Sequence, residues 1–132
     1  MMDILNVVYQ ALKVDPLIDE KVQNRIKFYE YPETGDVSDP FIVIEEVAPE
    51  MPGDYADNNW LTDDYYVHIE VWVKGSRKKR DDIAKKIKHI MWNELGFHMA
   101  SGMAPEYDKD TNIFRDARRY RGKYYRDDFD SL

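Results

Sequence analysis

The chain has 132 residues, 43% hydrophobic and 34% charged, with a net charge of −7. That suits a single globular domain (1–132) with one core and excludes a disordered composition. Without cysteine, disulfide frameworks, thiolate zinc sites and cysteine nucleophiles are excluded.

Residues 3–14 are predicted to form an amphipathic helix. Ile4, Val7, Val8, Ala11 and Leu12 recur at three- and four-residue steps, Asp3 is placed to cap the start, and Asp15-Pro16 to stop it. A short strand is expected near Ile26 to Tyr29, followed by a loop from Pro32 to Pro40. Phe41 to Val47 is β-branched and bounded by prolines, so it reads as a strand. Pro49 to Asp63 is too long for a tight turn and is expected to be an exposed connection. In residues 65–74, Val67, Ile69, Val71 and Val73 alternate with Tyr66, His68, Glu70 and Trp72, giving one aliphatic and one aromatic-polar face.

Ser76 to Leu95 is the second main helix, with the stripe Ile83, Ile87, Ile90, Met91 and Leu95 and a stop at Gly96. Phe97 to Tyr107 reads as a weaker strand broken near Gly102, and Ile113 to Tyr125 as the last strand. The expected fold is therefore α+β: an antiparallel or mixed sheet of about four to five strands with two main helices packed on one face.

The sequence offers little catalytic chemistry. The six glycines are scattered with no phosphate-loop or dinucleotide fingerprint, and the four serines show no nucleophile-elbow spacing. Asp108-Lys-Asp-Thr-Asn112 opens like a calcium loop, but Ile113 and Arg119 stand where glycine and glutamate are required, leaving a polar hairpin turn. His68 and Glu70 share a strand face, yet no third metal ligand or catalytic partner can be named. No catalytic residue, cofactor or metal is assigned.

No apolar run approaches the roughly 18 to 20 residues that cross a bilayer, and the start Met1-Met2-Asp3 lacks the basic region and cleavage site of a signal peptide. The expected setting is cytoplasm or an assembly built there.

Three segments are candidates for partner contact. Residues 49–63 place Met51, Tyr55, Trp60 and Leu61 on the exposed connection, with Trp60 either buried in a partner or folded back over its own sheet edge. Arg77, Lys78, Lys79 and Arg80 open a helix, where the dipole disfavours each exposed cation by about 0.3–1 kcal/mol. They either meet an acidic partner or form a solvated turn compensated by Asp81 and Asp82. The third segment interleaves Arg115, Arg118, Arg119, Arg121, Lys123 and Arg126 with Tyr120, Tyr124 and Tyr125. That pattern fits a polar strand face or a protein interface, with single-stranded nucleic acid disfavoured by the overall acidity. Charge is also uneven along the chain: residues 1–64 carry 15 acids and 4 bases, a net −11, and residues 65–132 carry 11 acids and 15 bases, a net +4. If folding keeps the halves apart, like subunits would be steered head to tail.

In layout the chain resembles the tail terminator, or tail-completion (minor tail), proteins of long-tailed bacteriophages. The features are the helix ending Ala11-Leu-Lys-Val-Asp15, the strand Phe41–Val47, the strand ending Trp72-Val-Lys-Gly75, the basic-started helix, and the closing run from Tyr107 through Arg118-Arg-Tyr-Arg121 to Tyr125. The resemblance implies a virion protein: a homo-oligomeric ring, by family a hexamer, at the head-proximal end of the tail. There it would end tube polymerisation and join tail to head, with the tail tube protein and a head connector as partners. A head-completion protein of the same module is the alternative reading, and a small nucleic-acid-binding protein a more distant one.

Overall fold

The computed structural model describes residues 3–33 and 37–125; Arg126 of the basic cluster lies outside them. Helix α1 (Ile4–Lys13) starts as its sequence dictates. The Asp3 carboxylate accepts from the Asn6 N–H at 3.2 Å, and Ile4, Leu5, Val8 and Leu12 form the buried stripe. Asp15 ends that helix and caps a second one, α2 (Pro16–Lys21), accepting from the Leu17 and Ile18 amides while Pro16 stands where no amide is needed. Six residues are too few for a helical period to show, which is why α2 was not expected.

After β1 (Ile26–Phe28) and β2 (Phe41–Glu46) comes the main departure from the sequence-based expectation. Residues 49–63 are not an open connection. They contain β3 (Met51–Ala56) and the first third of β4 (Asn59–Lys74), joined by a two-residue turn. Asp57 and Asn58 in that turn have φ of +51° and +64°, the left-handed pair that a tight hairpin matching strand twist requires and that Asp and Asn tolerate. Pro52 and Gly53 argue locally for a loop, but β3 is an outlying strand paired to β4 alone, where proline costs little.

Helix α3 (Arg77–Leu95) is capped by the Ser76 hydroxyl, which accepts from the Lys79 amide, and is ended by Gly96 at φ +70°. The chain closes with β5 (His98–Gly102), β6 (Glu106–Asp108) and β7 (Ile113–Tyr125). Among the described residues the sheet has seven strands, where about four to five were expected, in the order β1-β2-β4-β7-β5, with β3 beside β4 and β6 beside β7. It is mixed: β1 runs parallel to β2 and the other pairings are antiparallel.

The core lies where the β4 alternation puts it. Val67, Ile69, Val71 and Val73 are buried together with Ile83, Ile87, Ile90 and Met91 of α3 and with the α1 stripe. Each fully buried aliphatic side chain stabilises the fold by about 1.5–3 kcal/mol, so this layer fixes which sheet face is covered. At one end Phe97 is buried between the sheet and Tyr124, and the Tyr124 hydroxyl donates to the Leu95 carbonyl at 2.6 Å, tying the last turn of α3 to β7.

Candidate functional site

The opposite sheet face is polar, and register decides what it displays. β4 and β7 pair over 13 positions, with Tyr66 opposite Arg121, His68 opposite Arg119, Glu70 opposite Ala117 and Trp72 opposite Arg115. Side chains alternate along a strand, so Arg115, Arg119, Arg121 and Lys123 share this outer face. Phe114, Asp116, Arg118 and Tyr120 turn toward the helices. The basic cluster read from sequence is thus divided. Arg118 pairs with Asp116 at 3.0 Å, and Tyr120, buried to 1%, belongs to the core and is unavailable to a partner. Burial pushes the Tyr120 hydroxyl pKa up to about 12.

Glu70 is the hub of the outer face and is itself 6% exposed. One of its oxygens accepts from the Trp72 indole at 3.0 Å and the Arg115 guanidinium at 2.9 Å. The other meets His68 Nε2 at 2.8 Å and the Tyr31 hydroxyl at 3.3 Å. Burial opposes ionisation of this carboxyl, but the hydrogen bonds from His68, Arg115 and Trp72 outweigh it and hold the pKa at about 2. Arg115 also stacks over Trp72, 4.7 Å from the ring centroid, and reaches Glu106 at 3.2 Å.

A His–Glu pair beside a serine invites comparison with a nucleophilic triad, and the geometry argues against it. Arg119 Nε donates to His68 Nδ1 at 3.4 Å, so the ring proton sits on Nε2 facing Glu70 and neither nitrogen is free to act as a base. Ser101 lines a cavity of about 190 Å³ together with His68 and Arg119, but its hydroxyl pairs with the Tyr66 hydroxyl at 3.4 Å. Every lone pair of Glu70 is occupied. The arrangement is that of a hydrogen-bonded network centred on Glu70, which fixes side chains, with Arg115 Nε its one buried donor lacking a partner among the described residues. Among the described residues no group of three or more His, Asp or Glu is placed to hold a metal ion. The Asp108–Asn112 turn is closed by the Asp110 amide donating to Asp108, with Asn112 at φ +58°.

The other proposed contact residues fall in two places. On the hairpin, Met51 and Tyr55 are well exposed, Trp60 is 36% exposed and Leu61 is half-buried. Trp60 stands opposite Tyr55 and donates its indole N–H to Asp63 at 3.1 Å, so it is partly laid along its own hairpin. The β3–β4 hairpin arm has residues 54–61 past Thr62, the last β4 residue opposite a described β7 residue, Tyr125. In the first turn of α3, Arg77, Lys78 and Lys79 are exposed, and Lys78 bridges to Asp82 at 2.8 Å. Arg80 differs from its neighbours. It is 6% exposed, pairs with Asp81 at 2.9 Å, donates to the Glu106 carbonyl and lies over Phe114. It is a structural cation that ties α3 to β6 and β7, not a surface contact. Helical spacing alone could have placed it, since Arg80 precedes Ile83, Ala84 and Ile87 on the buried face.

No protein-family model and no curated protein matches this sequence. The fold, however, is similar to that of a chain in a solved structure described as the virion of native gene transfer agent (GTA) particle. The TM-score is 0.66 over 90% of this chain and 92% of that one, at 13% sequence identity. The likeness covers most of both chains, and it is a likeness of fold.

Proposed function

We propose that this chain is a structural protein of a phage-type virion, acting as a tail terminator: a ring of identical copies at the head-proximal end of the tail that ends tube growth and presents a surface to the head. The observation that carries this reading is the fold shared almost end to end with a chain of a gene transfer agent virion. Two features of the chain support it. The His68–Glu70 cluster is engaged in internal hydrogen bonds, and the hairpin arm exposes Met51 and Tyr55, and Trp60 in part, as a surface suited to burial on assembly. The proposed contacts are this arm with Leu61, the Arg77–Lys79 turn, and the outer-face cations Arg115, Arg119 and Arg121. Partners would be further copies, the tail tube protein and the head connector.

The genetic test is direct. Without the gene, tails should lose length control and fail to join heads, and electron micrographs showing tails of normal length attached to heads in its absence would sink the reading. On the arm, Met51→Ser combined with Tyr55→Ser should change unfolding free energy by less than about 1 kcal/mol, since both side chains are more than half exposed. The same variant should lose most of its incorporation into tails. Normal incorporation would remove the arm from the interface.

A further inference from the structure

The sheet sorts charge laterally. In one row of the outer face, Glu45 of β2, His68 of β4, Arg119 of β7 and Ser101 of β5 stand side by side. The row therefore runs from an acid on the β1–β2 side to a base on the β7–β5 side. At the basic margin Arg119 and Arg121 are exposed, two residues apart on one strand and so roughly 7 Å apart. Both guanidinium groups lie over the Tyr66 ring, at 6.0 and 4.2 Å from its centroid. Neither has a carboxylate within 4.0 Å among the described residues, whereas Arg115 and Lys123 on the same face are neutralised by Glu70, Glu106 and Asp54.

The acidic margin mirrors this. Tyr31 reaches onto the outer face to donate to Glu45 and Glu70, and the nearby Glu30 and Glu33 are exposed with no cation in ion-pair range among the described residues. Lys27 shares that margin and offsets one of the three acids. Arg119 and Arg121 stand on β7, one strand in from the terminal strand β5, while Glu45 stands on β2 and Glu30 and Glu33 follow β1, so the two patches lie toward opposite ends of the sheet path.

We infer that the basic margin of one copy, Arg119 and Arg121, seats against the acidic margin of the next, Glu30, Glu33 and Glu45. Such a contact joins two different patches, which is the geometry from which rings close. It rests on the ring reading above and specifies which patches meet. A second copy fits better than a polyanion: the chain is −7 overall, so a nucleic acid is repelled at long range, while every copy carries the complementary edge at the same concentration.

The test exploits that complementarity. Sedimentation of the full chain at about 30 mM and about 0.5 M salt should show association that is stronger at low salt despite the shared net negative charge. Arg119→Glu/Arg121→Glu makes both margins acidic, and Glu30→Lys/Glu33→Lys makes both basic. Each alone should weaken association by about tenfold or more. An equal mixture of the two should restore it, because acidic-edged and basic-edged copies then alternate. Arg121→Glu alone serves if the double variant unfolds, since the exposed Arg121 side chain rests over the Tyr66 ring and, among the described residues, has no ion pair. Three results would overturn the inference: no association of the parent chain at low salt, charge swaps without effect, or a mixture that fails to restore. So would cations needed only to bind a single-stranded oligonucleotide. If any of these occurs while the protein is still found at tail ends, the virion role stands and only this contact falls.

Discussion

Glu70→Ala is expected to destabilise the fold by about 3–5 kcal/mol, the cost of removing one partner from a buried charged network. Four donors converge on the carboxylate from β4, β7 and the segment carrying Tyr31. Its removal leaves Arg115 and the His68 N–H facing an apolar methyl. Glu70→Gln should recover only part of the loss, because the amide offers one acceptor oxygen and turns a donor toward groups that are themselves donors.

Linkage gives an independent check. The folded-state pKa of about 2 lies below the ordinary 4.5. The contribution of Glu70, roughly 3 kcal/mol for a shift of that size, is therefore fully present above pH 4.5 and lost as pH falls toward 2. The stability difference between the parent and Glu70→Gln should accordingly shrink across that window in urea titrations. A parallel pair of curves, or a loss below about 1 kcal/mol for Glu70→Ala, would mean that the network is not fixing the outer face.

Gly122→Ala is expected to cost about 3 kcal/mol, the upper end of what overpacking a core does. A methyl carbon at Gly122 would sit 2.2 Å from one Phe97 ring carbon and 2.6 Å from two others. The ring is fully buried and also packs on Tyr124, so it has nowhere to move. The backbone at Gly122 is not in the left-handed region, where Gly75 and Gly96 are, so the penalty is one of space alone. Phe97→Ala should itself cost about 3–5 kcal/mol, and in that background Gly122→Ala should add almost nothing. The signature is a coupling of about 2–3 kcal/mol in a double-mutant cycle. Equal costs in both backgrounds would show that Phe97 does not rest on Gly122.

Where strand and helix periods were long, the sequence was explicit. Both main helices, the cap at Asp3, the stop at Gly96, and the two faces of residues 65–74 all follow from local spacing and lie where that spacing puts them. The hairpin arm was not legible. Its turn is Asp-Asn rather than Asn-Gly, and Pro52 and Gly53 mimic a loop until β4 is present to pair with them. Likewise, a run of arginines in residues 115–126 gives no sign of which point outward until the valine face of β4 sets the register of β7. That register leaves Arg119 and Arg121 in solvent and turns Arg118 and Tyr120 inward.

By itself, then, the sequence determined the periodic elements and the hydrophobic face that drives them together, because those depend on neighbours three or four residues away in a helix and two away in a strand. Only the tertiary structure decided which charges are satisfied. His68, Glu70, Arg115 and Arg119 meet across two strands, 45 to 51 residues apart along the chain, and the energy of a charge is set by what surrounds it in space, on which local spacing is silent.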